Sequence, residues 1–286
     1  MAETSRSADL RGAALMSASM AGFSLNDAII KFLSARLDLF QIIFVRGLFA
    51  AIMMVIFCAW AGELRTRLQP ADMRVIGWRL VGEIGGTICF LSALVNMPLA
   101  NATAILQAMP LAVTLGAAWW LREPVGRDRW LAIVIGFAAV LLIVRPGADG
   151  FDRQSLWAVA SIGFFVLRDL STRRLSPAVP SRFVSLLTTL VIATMGGLVG
   201  LFRPWPPLDA GAGIGLLAAA VFVIVGYLCG VMAMRSGRIA FVSPFRYSIL
   251  IWSVLLGAAL FDHWPGWQTW LGALILVITG MHTLRR

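Results

Sequence analysis

"FSLNDAIIKFLSARLD", residues 23–38, closes an apolar stretch long enough to enter a bilayer, yet it sets Asn26, Asp27 and Lys31 close together on one helix. A charged side chain at the centre of a lipid-embedded helix costs roughly 2.5–3.5 kcal/mol on insertion scales. The arrangement also recurs. A shift of 142 residues lays Phe23, Leu25, Asp27, Lys31, Leu33 and Ser34 over Phe165, Leu167, Asp169, Arg173, Leu175 and Ser176, within "FVLRDLSTRRLS" at 165–176. A costly polar motif carried twice at a fixed distance points to a duplicated bundle with a polar interior.

Composition places that bundle in a membrane. The chain has 286 residues, 59% of them hydrophobic and only 13% charged, against about 25% charged in a soluble domain. Mean hydropathy is +0.85. Apolar runs fall near 11–33, 39–60, 75–95, 99–121, 130–145, 154–172, 182–202, 211–233, 239–261 and 267–284. Each is near the length that a rise of about 1.5 Å per residue needs to cross about 30 Å of hydrocarbon. The expected fold is all-α, with ten transmembrane helices. The opening "MAETSRSADLR" and the run after it lack a small-residue cleavage site, so span one reads as uncleaved.

Charge sets the direction. With the N-terminus in the cytoplasm, fifteen basic residues fall on the inner side, five on the outer side and four within spans. That bias follows the positive-inside rule and places both termini in the cytoplasm. The net charge of +10 comes from residues dispersed over short loops, so no nucleic-acid partner is expected. Cys58, Cys89 and Cys229 each stand alone in apolar sequence, and the two histidines, His263 and His282, lie outside the span centres. No metal site or cofactor is expected.

Five spans per half is an odd number, so the second half must enter the membrane from the opposite side. The repeats are 1–146 and 147–286. A shift near 140 also aligns Trp130 with Trp270, and Gly82 and Gly86 in span three correspond to Gly226 and Gly230 in span eight. Inverted repeats of this kind place a substrate site near the midplane, between the halves.

Over essentially its whole length the chain resembles the EamA family of the drug/metabolite transporter superfamily. The resemblance rests on "LQAMPLAVTLGAAWWLREPVGRDRWLAIVIGFAAVLLIV", which closes half one, and on its degenerate partner "PFRYSILIWSVLLGAALFDHWPGWQTWLGALILVITG". Glu123 after span four is typical of that family, whereas Asp262 and His263 stand where the second half would repeat it. "NDAIIKFL" and "PFRYSILIW" look most like bacterial carriers of S-adenosylmethionine and riboflavin. The resemblance implies a secondary carrier of the bacterial inner membrane, with a central cavity and with spans five and ten toward the periphery.

The polar residues within the spans must pair, snorkel or face water. Asp27 and Arg46 are expected to pair across spans one and two, either as an outer gate or as a permanent interhelical salt bridge. Asn26 binds substrate or bridges helices. Arg79 and Glu83 lie four apart on one helix face, and Glu83, flanked by Gly82 and Gly86, is the candidate proton-coupling carboxylate. Asp169 is the counterpart of Asp27 at the inner mouth, opposite Arg79 or Arg246. In span nine, Pro244 frees nearby carbonyls, Arg246 offers a planar five-donor fork, and Tyr247 and Trp252 offer rings. Gln107 of span four corresponds to Arg246 or Tyr247 across the pseudo-twofold. The candidate binding set is therefore Gln107, Arg246, Tyr247, Trp252 and Asn26. The candidate gating or coupling set is Asp27, Arg46, Arg79, Glu83 and Asp169.

No Walker motif is present, so the substrate gradient or protons supply the energy. The expected activity is alternating-access transport of a small organic metabolite, with riboflavin first and S-adenosylmethionine, an amino acid or another metabolite as alternatives. Membrane lipids are the other expected partner. An intramembrane enzyme would need a nucleophile with a base or a metal cluster, and no such motif is seen; a channel is the other competing class.

Overall fold

The computed structural model describes residues 2–120, 122, 126–144, 153–236 and 239–284. Glu123 and the boundary between 146 and 147 lie outside the described residues. The chain forms α1 (Ala2–Leu33), α2 (Leu39–Trp60), α3 (Pro70–Asn96), α4 (Leu99–Leu106), α5 (Met109–Trp120), α6 (Arg127–Val144), α7 (Gln154–Arg173), α8 (Ser181–Gly200), α9 (Ala210–Ser236) and α10 (Ile239–Val242). A 3₁₀ turn (Ser243–Tyr247), α11 (Ser248–Phe261) and α12 (Trp267–Leu284) complete it. Lipid offers a backbone no hydrogen bonds, so a helix that satisfies its own is the natural spanning element. The protein is an all-helical, polytopic membrane protein, and the ten runs of the sequence are its ten membrane helices. Among the described residues seven are long and apolar enough to be recognised as spans by length and composition alone. Large apolar side chains face outward all round the bundle, and Trp60, Trp119, Phe202 and Trp264 stand bare near the helix ends, where aromatic rings suit the lipid–water boundary.

Two runs that read as continuous are broken. The fourth splits into α4 and α5 at Gln107–Ala108. Pro110 has no N–H to give the carbonyl four residues back, and its ring crowds that carbonyl, so the turn before it tightens into i→i+3 bonds, Gln107 N to Ala104 O and Ala108 N to Ile105 O, each 3.1 Å. The ninth breaks in the 3₁₀ turn that contains Pro244.

Helices meet where side chains are missing. The closest pairings join α1 to α9, α3 to α7, α2 to α8 and α6 to α12. A Cβ on Gly82 of α3 would fall 2.6 Å from the Phe164 carbonyl oxygen of α7, and one on Gly22 of α1 would fall 2.8 Å from the Phe222 carbonyl oxygen of α9. Bare backbone lets such helices approach more closely than side chains allow. At the α1–α9 contact the Ser19 hydroxyl donates to the Gly226 carbonyl at 2.6 Å.

The α2–α8 pair is fastened at both ends. At the face where α1 ends and α2 begins, Arg203 holds Asp38 at 2.9 Å and Gln41 donates to the Pro206 carbonyl at 2.9 Å. At the opposite face Arg182 grips both oxygens of Glu63, the closest contact being 2.7 Å.

Candidate functional site

The polar residues of the opening motif have separate tasks. Lys31 donates to the carbonyls of Leu94 (2.9 Å), Val95 (3.4 Å) and Met97 (2.7 Å), closing the C-terminal end of α3. Those carbonyls carry the negative end of the helix dipole and lack partners within the helix. Lys31 is thus a helix cap.

Asn26 and Asp27 face inward. The Asn26 amide donates to Asp27 Oδ1 at 2.9 Å and its own Oδ1 accepts from Arg46 at 3.2 Å. Asp27 and Arg46 feel each other's charge but make no ion pair among the described residues. The direct pair expected between them is replaced by a relay through Asn26, because the amide is itself the shared neighbour of both groups.

Toward the other face lies a denser cluster. Glu83, near the middle of α3, sits 3.7 Å from Arg79 and 3.5 Å from Arg168 of α7. Arg168 also holds Asp169 at 2.8 Å and lies over the Phe165 ring. Arg79 donates to Thr172 Oγ1 at 3.0 Å and to Thr188 Oγ1 of α8. The partner of Asp169 is therefore its neighbour Arg168, in place of the expected Arg79 or Arg246. In sequence Arg168 reads as snorkelling to the interface; Gly82 brings α7 so close that its guanidinium reaches Glu83 instead.

Tyr227 of α9 joins the two groups. It is 56% exposed, yet deep enough in the bundle to feel the charges of Glu83, Arg168, Arg79 and Arg46, which stand on three other helices. Asp27 and Arg46 likewise keep accessible surface while helices enclose them. Groups that helices surround while they keep accessible surface mark a polar interior, the hollow, between α1, α2, α3, α7 and α9, beside Thr188 of α8.

The remaining candidates lie elsewhere. Tyr247 is buried, and its hydroxyl fills the notch left by the missing side chain of Gly280 in α12. It lines an apolar groove of about 410 Å³ between α4, α11 and α12, together with Ala104, Ser248 and Thr269. Arg246 is exposed in the 3₁₀ turn and makes no ion pair among the described residues. Trp252 is 37% exposed on α11, and Gln107 caps α4 at its break. Among the described residues no hydrogen bond or ion pair ties these four to the charged cluster. A second apolar groove, between α5 and α7, holds Trp119, Trp120 and Leu170.

Tyr227 escapes the sequence reading because a lone tyrosine in a charge-free span reads as an interfacial ring. Two signals point to it: it is one of only two tyrosines in the chain, and it sits between Gly226 and Gly230 on the seam that corresponds to the one flanking Glu83.

Comparison with known proteins agrees with this architecture. The pattern of the EamA-like transporter family matches residues 10–145. A riboflavin transporter of Vibrio cholerae is 30% identical over 235 residues, covering 80% of this chain and 78% of that protein. The chain belongs to the EamA-like transporter family. An S-adenosylmethionine uptake transporter of Rickettsia conorii is 24% identical over 268 residues, covering 91% of this chain and 88% of that protein. The pseudopaline exporter CntI of Pseudomonas aeruginosa is 24% identical over 270 residues, 90% of this chain and 89% of its own. A crystal structure superposes on the whole fold with a TM-score of 0.65 at 20% identity, covering 99% of each chain.

Proposed function

We propose that this EamA-family chain is a secondary carrier that takes up riboflavin across the bacterial inner membrane by alternating access, from two inverted five-helix repeats, 1–146 and 147–286. The observation that carries the reading is the pair of interior polar groups, Asp27, Asn26 and Arg46 toward one face and Arg79, Glu83, Arg168 and Asp169 toward the other. Several features support the repeat. Exchanging the halves turns the α1–α9 pairing into α7–α3 and leaves α2–α8 and α6–α12 unchanged. Arg122 and Asp262 are the non-glycine residues with a left-handed backbone among the described residues, at φ 54° and 52°. Their separation is the same shift near 140 that aligns Trp130 with Trp270. The family match at 10–145 also falls within the first repeat.

Mechanistically, one half rocks against the other, and the two polar groups open in turn. Substrate drives the exchange only through a difference in its affinity for the two states. Glu83 is the coupling carboxylate: protonation removes the charge that holds Arg79 and Arg168 together. Both termini lie in the cytoplasm, so the Asp38–Arg203 latch faces outward and the Glu63–Arg182 latch inward. S-adenosylmethionine is the second candidate substrate, favoured by the longer alignment with the rickettsial carrier.

The test is uptake into proteoliposomes with and without a pH gradient, beside growth rescue of riboflavin and S-adenosylmethionine auxotrophs. Riboflavin accumulation that saturates and shows counterflow is expected. Rescue of the S-adenosylmethionine auxotroph alone transfers the assignment to that substrate. A Glu83→Gln protein that still concentrates substrate on a proton gradient removes Glu83 from coupling.

A further inference from the structure

Three arginines reach the hollow, and they are not equivalent. Arg79 has Glu83, Thr172 and Thr188; Arg168 has Glu83 and Asp169. Arg46 has one neutral partner, the side-chain oxygen of Asn26, and its Nε is cut off from solvent with no partner among the described residues. A guanidinium carries five N–H donors and cannot lose its proton. Leaving buried donors of a charged group unmet costs more than the ~1–3 kcal/mol typical of a neutral one. The two carboxylates nearest to it are engaged elsewhere, Asp27 by the Asn26 amide and Glu83 by two other arginines.

Tyr227 shows the same surplus. Its ring touches Phe23 at 5.2 Å, edge to face, and its hydroxyl has no hydrogen-bond partner among the described residues. More than half of the residue is accessible, within electrostatic reach of Arg46 on α2, which packs against α9. An accessible aromatic ring and an under-used cation on two packed helices, α9 and α2, form a two-part receptor. The ring takes a flat π-surface in offset or edge contact, and the planar fork takes carbonyl or carboxylate oxygens at the edge of that surface.

We infer that Arg46 and Tyr227 are the substrate anchors of the hollow, and that together they select a planar heterocycle bearing oxygen acceptors along one edge. The inference rests on the carrier reading and refines it. Arg46 holds the acceptor edge, Tyr227 packs on the ring, and Asn26 keeps the guanidinium oriented when no substrate is present. The Asn26 oxygen satisfies part of Arg46, and the substrate completes it.

The experiment uses the full chain in lipid nanodiscs with riboflavin as the probe, since flavin emission is quenched when the ring packs against a phenol. Wild-type protein is expected to bind and quench. Arg46→Gln is expected to weaken binding by about 10–100-fold, the equivalent of one charge-assisted hydrogen bond, with Arg46→Lys in between. Tyr227→Leu is expected to lose about 3–10-fold and most of the quenching, whereas Tyr227→Phe keeps its affinity because the ring remains. Thermal midpoints of the variants separate lost binding from lost fold. Riboflavin bound equally well by Arg46→Gln and Tyr227→Leu overturns the assignment. A second arm needs no ligand: Arg46→Cys and Tyr227→Cys variants, with Cys58, Cys89 and Cys229 replaced by Ser, are treated with a water-soluble maleimide. Labelling at both positions sustains the anchors; an unreactive position 227 overturns them. Wild-type protein that binds no riboflavin refutes the riboflavin reading, and the labelling arm, repeated with S-adenosylmethionine as the protecting probe, then decides the anchors.

Discussion

Gly82→Ala tests whether the α3–α7 seam sets the site. The added methyl would sit 2.6 Å from the Phe164 carbonyl oxygen and 2.7 Å from Arg168 N, where ordinary contact begins at 3.4 Å. Both obstacles are backbone, so no side chain can turn aside, and the helices must part by roughly 0.8 Å at the crossing. Overpacking of this kind costs about 1–3 kcal/mol. Removing a glycine from a helix interior returns about 0.5–1 kcal/mol. The net is a loss of up to about 2.5 kcal/mol, and the same movement stretches the 3.5 Å contact between Glu83 and Arg168. Gly163 provides the contrast: it lies on α7, and nothing stands within 4 Å of its missing Cβ. Gly163→Ala therefore carries only the helical gain. Thermal unfolding of the purified proteins, followed by tryptophan fluorescence, should show the midpoint falling for Gly82→Ala and holding or rising for Gly163→Ala. Equal shifts of the same sign in the two variants would refute the close-seam account.

Lys31→Met strips three carbonyls of a charged donor and should cost about 1.5–3 kcal/mol in the same assay, with Lys31→Arg losing less; an unchanged midpoint would mean that water caps α3 unaided. Glu83→Gln leaves Arg79 and Arg168 without their shared carboxylate, yet Asp169 still neutralises Arg168. Its cost should fall below the ~3–5 kcal/mol of a fully broken buried pair, and pairing it with Asp169→Asn should cost more than the two losses added; strict additivity in a double-mutant cycle argues that the residues are not one network. Arg203→Gln combined with Arg182→Gln removes both surface latches. Exposed pairs contribute little to stability, so the midpoint should barely move while the transport rate changes; a rate equal to wild type excludes a mechanical role for the latches.

The architecture was legible because the bilayer leaves few solutions: apolar runs of span length, turns marked by Pro, Gly or charge, and arginines biased to one side specify ten helices. Offsets near 140 are what the proposal of two halves rests on. The breaks were less legible. Pro244 announced one, but Pro110 lies in a run so apolar that nothing flagged it. Within the site, Arg79 and Glu83 were readable because i, i+4 spacing fixes them on one helix face. Contacts between helices were not readable, since they depend on how deeply two backbones interlock. Arg168 looks interfacial in sequence, and only the bare crossing at Gly82 brings it to Glu83. Tyr227 and the Asn26 relay were hidden for the same reason: rotation of α9 and the rotamer of an amide leave no trace in residue spacing.

The two fastenings of α2 to α8 have a mechanical meaning. Asp38 and Glu63 bracket α2, while Arg182 and Arg203 bracket α8, so both acids belong to one helix and both bases to the other. Two rods bolted at a single end can scissor apart; bolted at both, they are held side by side. On the proposed rocking of the halves, α2 and α8 stand in different halves, so the stroke must open one bolt and hinge on the other.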